Sequence, residues 1–126
     1  MIENIHNTQN VSLALKWRKR NVLKVDILGE FKNQPIVVEY DGWYWHSGQI
    51  KHDPVTPMLR DTAKTQALLD SGYLVVRIRE KRASLIFLDF VPIQHKNLLQ
   101  FHWNHLQNGD DTTEILKNVH LWLQSR

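Results

Sequence analysis

Between residues 35 and 79 two short β-branched strands flank one helix whose two ends are both signalled, and this constrains the fold most. Pro35 to Asp41 (PIVVEYD) and Tyr73 to Arg79 (YLVVRIR) are rich in β-branched and aromatic residues and read as strands. Thr56 reads as a helix N-cap, Pro57 suits the first helical position, and Gly72 suits the left-handed residue after the last turn. Leu59, Ala63 and Ala67, spaced four apart with Met58 and Leu69 beside them, predict the apolar face of that helix. A strand, a helix and a strand in this order form a crossover, and such crossovers join parallel neighbours with a right-handed turn. Val22 to Leu28 (VLKVDIL) predicts one more strand, with Leu23, Val25 and Ile27 on one face and Lys24 and Asp26 on the other. Asn33 and Pro35 break the chain after it, so residues 29 to 35 read as the turn of a hairpin.

Outside this region the signals are weaker. The first sixteen residues read as a weak helix around Val11, Leu13, Ala14 and Leu15. Glu80, Lys81 and Arg82 read as a charged turn, and residues 85 to 106 are ambiguous. Asp111 or Thr112 caps a last helix reaching about Gln124, in which Ile115, Leu116, Val119, Trp122 and Leu123 recur at helical spacing. The expected architecture is a single α/β domain over residues 1–126. It has a core at 22–82, a helical extension at about 85–126, and a mixed sheet flanked by helices.

Composition removes whole classes of function. There are no cysteines, so disulfides, iron–sulfur clusters, thiolate zinc sites and cysteine nucleophiles are all excluded. The longest uncharged and mostly apolar run, Ala83 to Leu88, is too short to cross a bilayer, and no secretion signal is recognisable, so a cytoplasmic location with no membrane partner is expected. Sixteen Lys and Arg against thirteen Asp and Glu leave a charge of +3, compatible with a phosphate-bearing partner.

The acids carry the chemistry. Glu39 and Asp41 are two apart in an apolar strand and share a face, and Asp26 lies in the neighbouring strand of the hairpin. Carboxylates gathered in one patch repel and lose solvation unless paired or bound to metal. Mg²⁺ or Mn²⁺ held by such acids plus phosphate oxygens would resolve the conflict. A salt-bridge ladder with Lys24 or Arg77 would resolve it equally. His46 follows Asp41 by five residues, past Gly42, and can return to the same end of the sheet as an acid or base near neutral pH. Trp43, Tyr44 and Trp45 suit either stacking on bases or packing. Lys16, Arg18 and Arg20 around Trp17, and Arg77 with Arg79, are candidate phosphate contacts or solvated surface. His95, His102 and His105 lack the second ligand cluster that a zinc site needs.

The ordered set of Asp26, VVEYDGWYWH (37–46), Arg60-Asp61, Leu68 or Leu69, Gly72 and VVRIRE (75–80) resembles the PD-(D/E)XK nuclease superfamily. The nearest branch is that of the very-short-patch-repair (Vsr-like) endonucleases. The resemblance covers residues 22 to 82 and implies a restriction-endonuclease-like fold with Mg²⁺- or Mn²⁺-dependent hydrolysis of DNA phosphodiester bonds. It implies Asp26 and Glu39 as metal ligands supported by Asp41, His46 as the proton-transfer group, and Asp61 as its orienting partner or a further ligand. Asp41 stands where the superfamily's lysine usually does, and Lys64, one turn beyond Arg60, is the candidate replacement. The branch's cysteine-held structural zinc has no counterpart here. Besides DNA, the chain's small size suggests a partner protein or a homodimer. The alternative is a module that keeps the fold and binds nucleic acid without catalysis, alone or as a subunit of a larger nucleoprotein complex.

Overall fold

The computed structural model describes residues 2–17, 20–48, 53, 55–83, 86–104 and 113–126. Strands β1 (Glu3–Trp17), β2 (Arg20–Phe31) and β3 (Gln34–Asp41) form an antiparallel meander. A one-turn helix, α1 (Trp43–His46), and a long one, α2 (Val55–Asp70), then lead to β4 (Leu74–Ala83), which lies parallel to β3. Beyond the end of β3, the short β5 (Ile86–Phe87) pairs with the last residues of β4. β6 (Leu98–Asn104) runs parallel to β4, and α3 (Thr113–Gln124) closes the chain. The result is one six-stranded mixed sheet with the path β1-β2-β3-β4-β5 and β6 on β4.

Helices cover both faces of this sheet. Val37 and Val75 point to the side where Leu68 and Leu69 of α2 complete a core with Val11, Leu13, Leu23 and Val25. Ile36, Leu74, Val76 and Ile78 point the other way, onto Trp103 and onto Val119 and Leu123 of α3. Both alternate sets are buried, as central strands between two helical layers require. The spacing of Val119, Trp122 and Leu123 therefore serves docking on the sheet. Among the described residues no helix is long and apolar enough to cross a membrane.

Five expectations are corrected. Glu3–Trp17 form a strand, where a helix was expected over the first sixteen residues, because Val11 and Leu13, two apart, pack into the core while Val11 pairs with Leu23. The hairpin turn is only Lys32-Asn33, both at positive φ (49° and 65°), as a two-residue hairpin of primed type demands. Gly29 and Pro35 belong to the strands. Helix α2 begins one residue before Thr56, because Asp53 Oδ1 accepts the Val55 and Thr56 amide hydrogens, both at 3.2 Å. Glu80, Lys81 and Arg82 continue β4 instead of turning. Seven residues of the expected helical extension form β6 instead, and its Trp103 fills the core beneath α3. The caps proposed at Asp111 or Thr112 lie outside the described residues.

The end of α2 follows expectation. Gly72 sits at φ +88°, and the amides of Gly72 and Tyr73 bond back to Leu69 and Leu68 in the reverse-turn closure typical of glycine. Gly29 has a different role. A Cβ there would lie 2.6 Å from Ile2 Cγ2 and 3.3 Å from the Glu3 carbonyl oxygen. Gly29→Ala should therefore prise the start of β1 from the sheet and cost about 1–3 kcal/mol in chemical denaturation. An unchanged midpoint would show that β1 adds nothing there.

Candidate metal and phosphate site

The site lies at the carboxyl ends of the parallel strands β3 and β4, the usual binding edge of open α/β sheets. Register places Glu39 opposite Arg77 and Asp41 opposite Arg79. Above them runs the buried stripe of α2: Pro57, Asp61, Thr65, Leu68 and Leu69. The stripe predicted from Leu59 is wrong in phase, since Leu59 is 64% exposed. The helix turns two polar residues inward because β4 presents two arginines there.

Arg77 and Arg79 are both fully buried. Arg77 grips Asp41 with two parallel bonds, Nε to Oδ2 at 2.9 Å and Nη2 to Oδ1 at 2.8 Å. Its Nη1 donates to Thr65 Oγ1 at 3.1 Å, and that hydroxyl donates to the Asp61 carbonyl. Arg79 Nη1 bridges Asp41 Oδ2 and Asp61 Oδ2, each at 2.9 Å, and its Nε reaches the Asp89 carbonyl. Two carboxylates thus meet two guanidiniums out of contact with water. This corrects the reading of Arg77 and Arg79 as phosphate contacts and makes real the ladder between Asp41 and Arg77.

His46 comes back over the same end of the sheet through the single turn of α1, whose first amide, at Trp43, donates to the Glu80 carboxylate. Its Nδ1 lies 2.8 Å from Asp61 Oδ2 and 3.6 Å from Asp41 Oδ1. Burial alone would raise the Asp61 pKa, but the His46 hydrogen bond and the nearby Arg77, with Arg79, hold it well below the usual carboxylate range. An ionised Asp61 only accepts, so Nδ1 carries a proton and Nε2 is the ring nitrogen left to exchange one. Asp41, His46 and Asp61 each place a ligand atom within 4.8 Å of the others, so this group could hold a metal ion.

A second group forms where β2 and β3 part. The ladder ends at the Ile27–Val38 pair. Beyond it, side chains replace backbone partners: the Asp26 amide donates to Glu39 Oε1 at 2.9 Å, and the Tyr40 amide donates to Asp26 Oδ2 at 3.0 Å. The strand alternation slips at the same place, since Leu28 and not Ile27 joins the core of Leu23 and Val25. Asp26 is exposed, whereas Glu39 is buried and receives Lys64 Nζ on Oε2 at 2.8 Å. Burial outweighs Lys64 and raises the Glu39 pKa. The two groups therefore differ in charge balance: Asp61 has ample positive charge around it, and Glu39 has too little.

Of the other predicted residues, Arg60 and Lys64 line a cavity of about 360 Å³ together with His46 and Asp61. Trp43 is half-buried at the start of α1. Arg18 lies outside the described residues, as do the side chains of Lys16, Arg20 and Trp45. His105 also lies outside them, and His102 stacks on Phe90. Sequence reasoning missed Thr65, although its position four residues after Asp61 on the helix was a usable signal. Compared with known proteins, the chain matches no family model and no curated sequence.

Proposed function

We propose that the protein is a metal-dependent endonuclease of restriction-endonuclease-like fold that hydrolyses DNA phosphodiester bonds. The observation that carries this reading is the opened end of the β2–β3 ladder, where Asp26 and Glu39 are cross-bonded and Lys64 descends on Glu39. Each acid satisfies one backbone amide at the ladder's end, but burying Glu39 with its pKa raised carries a cost that those bonds and one lysine do not offset. Oxygen ligands in this number suit Mg²⁺ or Mn²⁺, which take one or two carboxylates and complete their shell with water and phosphate. Asp26 and Glu39 would hold the ion; when bound it lowers the pKa of a water and offsets charge on the phosphate.

The rest follows from the chain's own side chains. Lys64 fixes Glu39 and offers its ammonium to a phosphate oxygen. His46 takes or gives a proton at Nε2, with Asp61 holding its ring and tautomer. Asp41 serves as an anchor, since Arg77 and Arg79 occupy both of its oxygens. In the test, supercoiled plasmid is incubated with Mg²⁺, Mn²⁺ or EDTA. Nicking in either metal and none in EDTA is the expected result, and intact plasmid under every condition counts against it.

One observation favours the second reading, a nucleic-acid-binding module without catalysis. The acid at the superfamily's lysine position is spent on core arginines. Calorimetry separates the two: a nuclease binds Mn²⁺ with an affinity that Asp26→Ala abolishes, and a pure binding module shows no such heat.

A further inference from the structure

The cavity beside the site is walled by four elements. Asn10 comes from β1, Val22 and Lys24 from β2, His46 from α1, and Arg60 and Lys64 from α2. Its volume of about 360 Å³ falls at the small end of ligand sites, which span about 300–1,000 Å³.

Its charge is one-sided. Lys24, Arg60 and Lys64 bring three cations, of which Lys64 is already met by Glu39 at 2.8 Å, leaving Lys24 and Arg60 as the surplus. The one carboxylate in the wall, Asp61, is already met by Arg79 and His46. Lys24 pairs with no carboxylate among the described residues, and Arg60 comes no closer to Asp61 than 3.6 Å. Two of the walls, His46 and Lys64, belong to the proposed catalytic group, so a ligand in the cavity touches both. Val22 adds an exposed apolar surface suited to a sugar or base.

A terminal phosphate monoester carries a charge of about −1.5 to −2 at pH 7, more than the single charge of an internal diester, and it matches a cluster of cations better. Building on the nuclease reading, we propose that this cavity receives the terminal phosphate of a DNA strand, held by Lys24 and Arg60 with Lys64. The preferred substrate is then DNA with a phosphorylated end, nick or gap, and uninterrupted duplex is cut more slowly.

Short duplexes labelled at the far end, and bearing a 5′-phosphate, a 3′-phosphate or only hydroxyls, distinguish this by fluorescence polarisation. Glu39→Gln protein in Mg²⁺ is used so that cleavage does not intrude. One phosphorylated duplex should bind about ten-fold more tightly than the hydroxyl form, the worth of one charge-assisted contact. Lys24→Ala and Arg60→Ala, introduced separately, should each erase that ratio while leaving affinity for the hydroxyl duplex nearly unchanged. Equal binding of all three duplexes, or a ratio untouched by both substitutions, overturns the pocket. Equal binding beside metal-dependent plasmid nicking by the wild type rejects the pocket and keeps the nuclease. A phosphate preference in a protein that nicks nothing supports the pocket and rejects the nuclease.

Discussion

Asp41→Ala should destabilise the protein by about 3–5 kcal/mol, the cost of leaving a buried charge without its partner. The substitution strips Arg77 of both strong bonds and leaves it with Thr65 at 3.1 Å and an Asp61 oxygen at 3.6 Å. Domains of this size are stable by about 5–15 kcal/mol, so the loss takes a large share of the total. The paired change Asp41→Leu with Arg77→Met should recover most of it, because it removes both charges and leaves Arg79 and Asp61 as a balanced pair. Urea denaturation of the two single variants and the double variant measures the coupling. Midpoints for Asp41→Ala within error of the wild type would mean that the network contributes nothing. The wild type should also lose stability steeply in strong acid. The depressed Asp61 pKa adds stability above the ordinary carboxylate value of 3.8, and that contribution is lost as the pH falls below it. Asp61→Asn should therefore flatten the acid limb of the stability profile. If Asp41 acts through the core alone, the double variant keeps nicking activity that still depends on Glu39.

The opposite pattern is expected at the splayed ladder. Glu39→Gln should reduce nicking by about two to three orders of magnitude, the equivalent of several kcal/mol of transition-state stabilisation. Its thermal midpoint at pH 7 should equal or exceed that of the wild type. The sign follows from the raised pKa. A folded carboxyl that holds its proton more tightly than the unfolded one favours folding at low pH, and this advantage fades as pH rises through the raised value. Once ionised, Glu39 is thus a burden on the fold, and glutamine removes the charge while keeping the shape. Asp26→Asn, at an exposed position, should lose activity with little change in stability. Loss of activity together with a large fall in melting temperature in Glu39→Gln would recast Glu39 as a structural partner of Lys64. Retained activity would place the site elsewhere. An acid that serves the fold and an acid that burdens it stand two residues apart on one strand, and the two experiments tell them apart.

What the sequence determined by itself is local. The β-branched runs over residues 22 to 28 and 35 to 41 became strands, as did 74 to 79 of the run that starts at Tyr73, and Gly72 ended α2, because strand period and left-handed closure are fixed by a few neighbouring residues. The shared face of Glu39 and Asp41 was legible for the same reason, as was the return of His46 past Gly42. Contacts distant in sequence decided everything else. Asp41 and Arg77 are 36 residues apart, and Asp61 and Arg79 are 18 apart. Arginine is almost always exposed unless paired, so Arg79 read as surface or a phosphate contact, and Arg77 as that or as one rung of a ladder, until their carboxylates were in view. The inward stripe of α2 carries Asp61 and Thr65, and a search for apolar periodicity selects the wrong face when the buried face is polar. β1 and β6 carry little period of their own, and each is a strand because the neighbouring strand offers an edge to pair with. Charge partners and sheet edges are supplied by the rest of the molecule, so only the tertiary structure separates the acids that hold the core from those left facing solvent and cation.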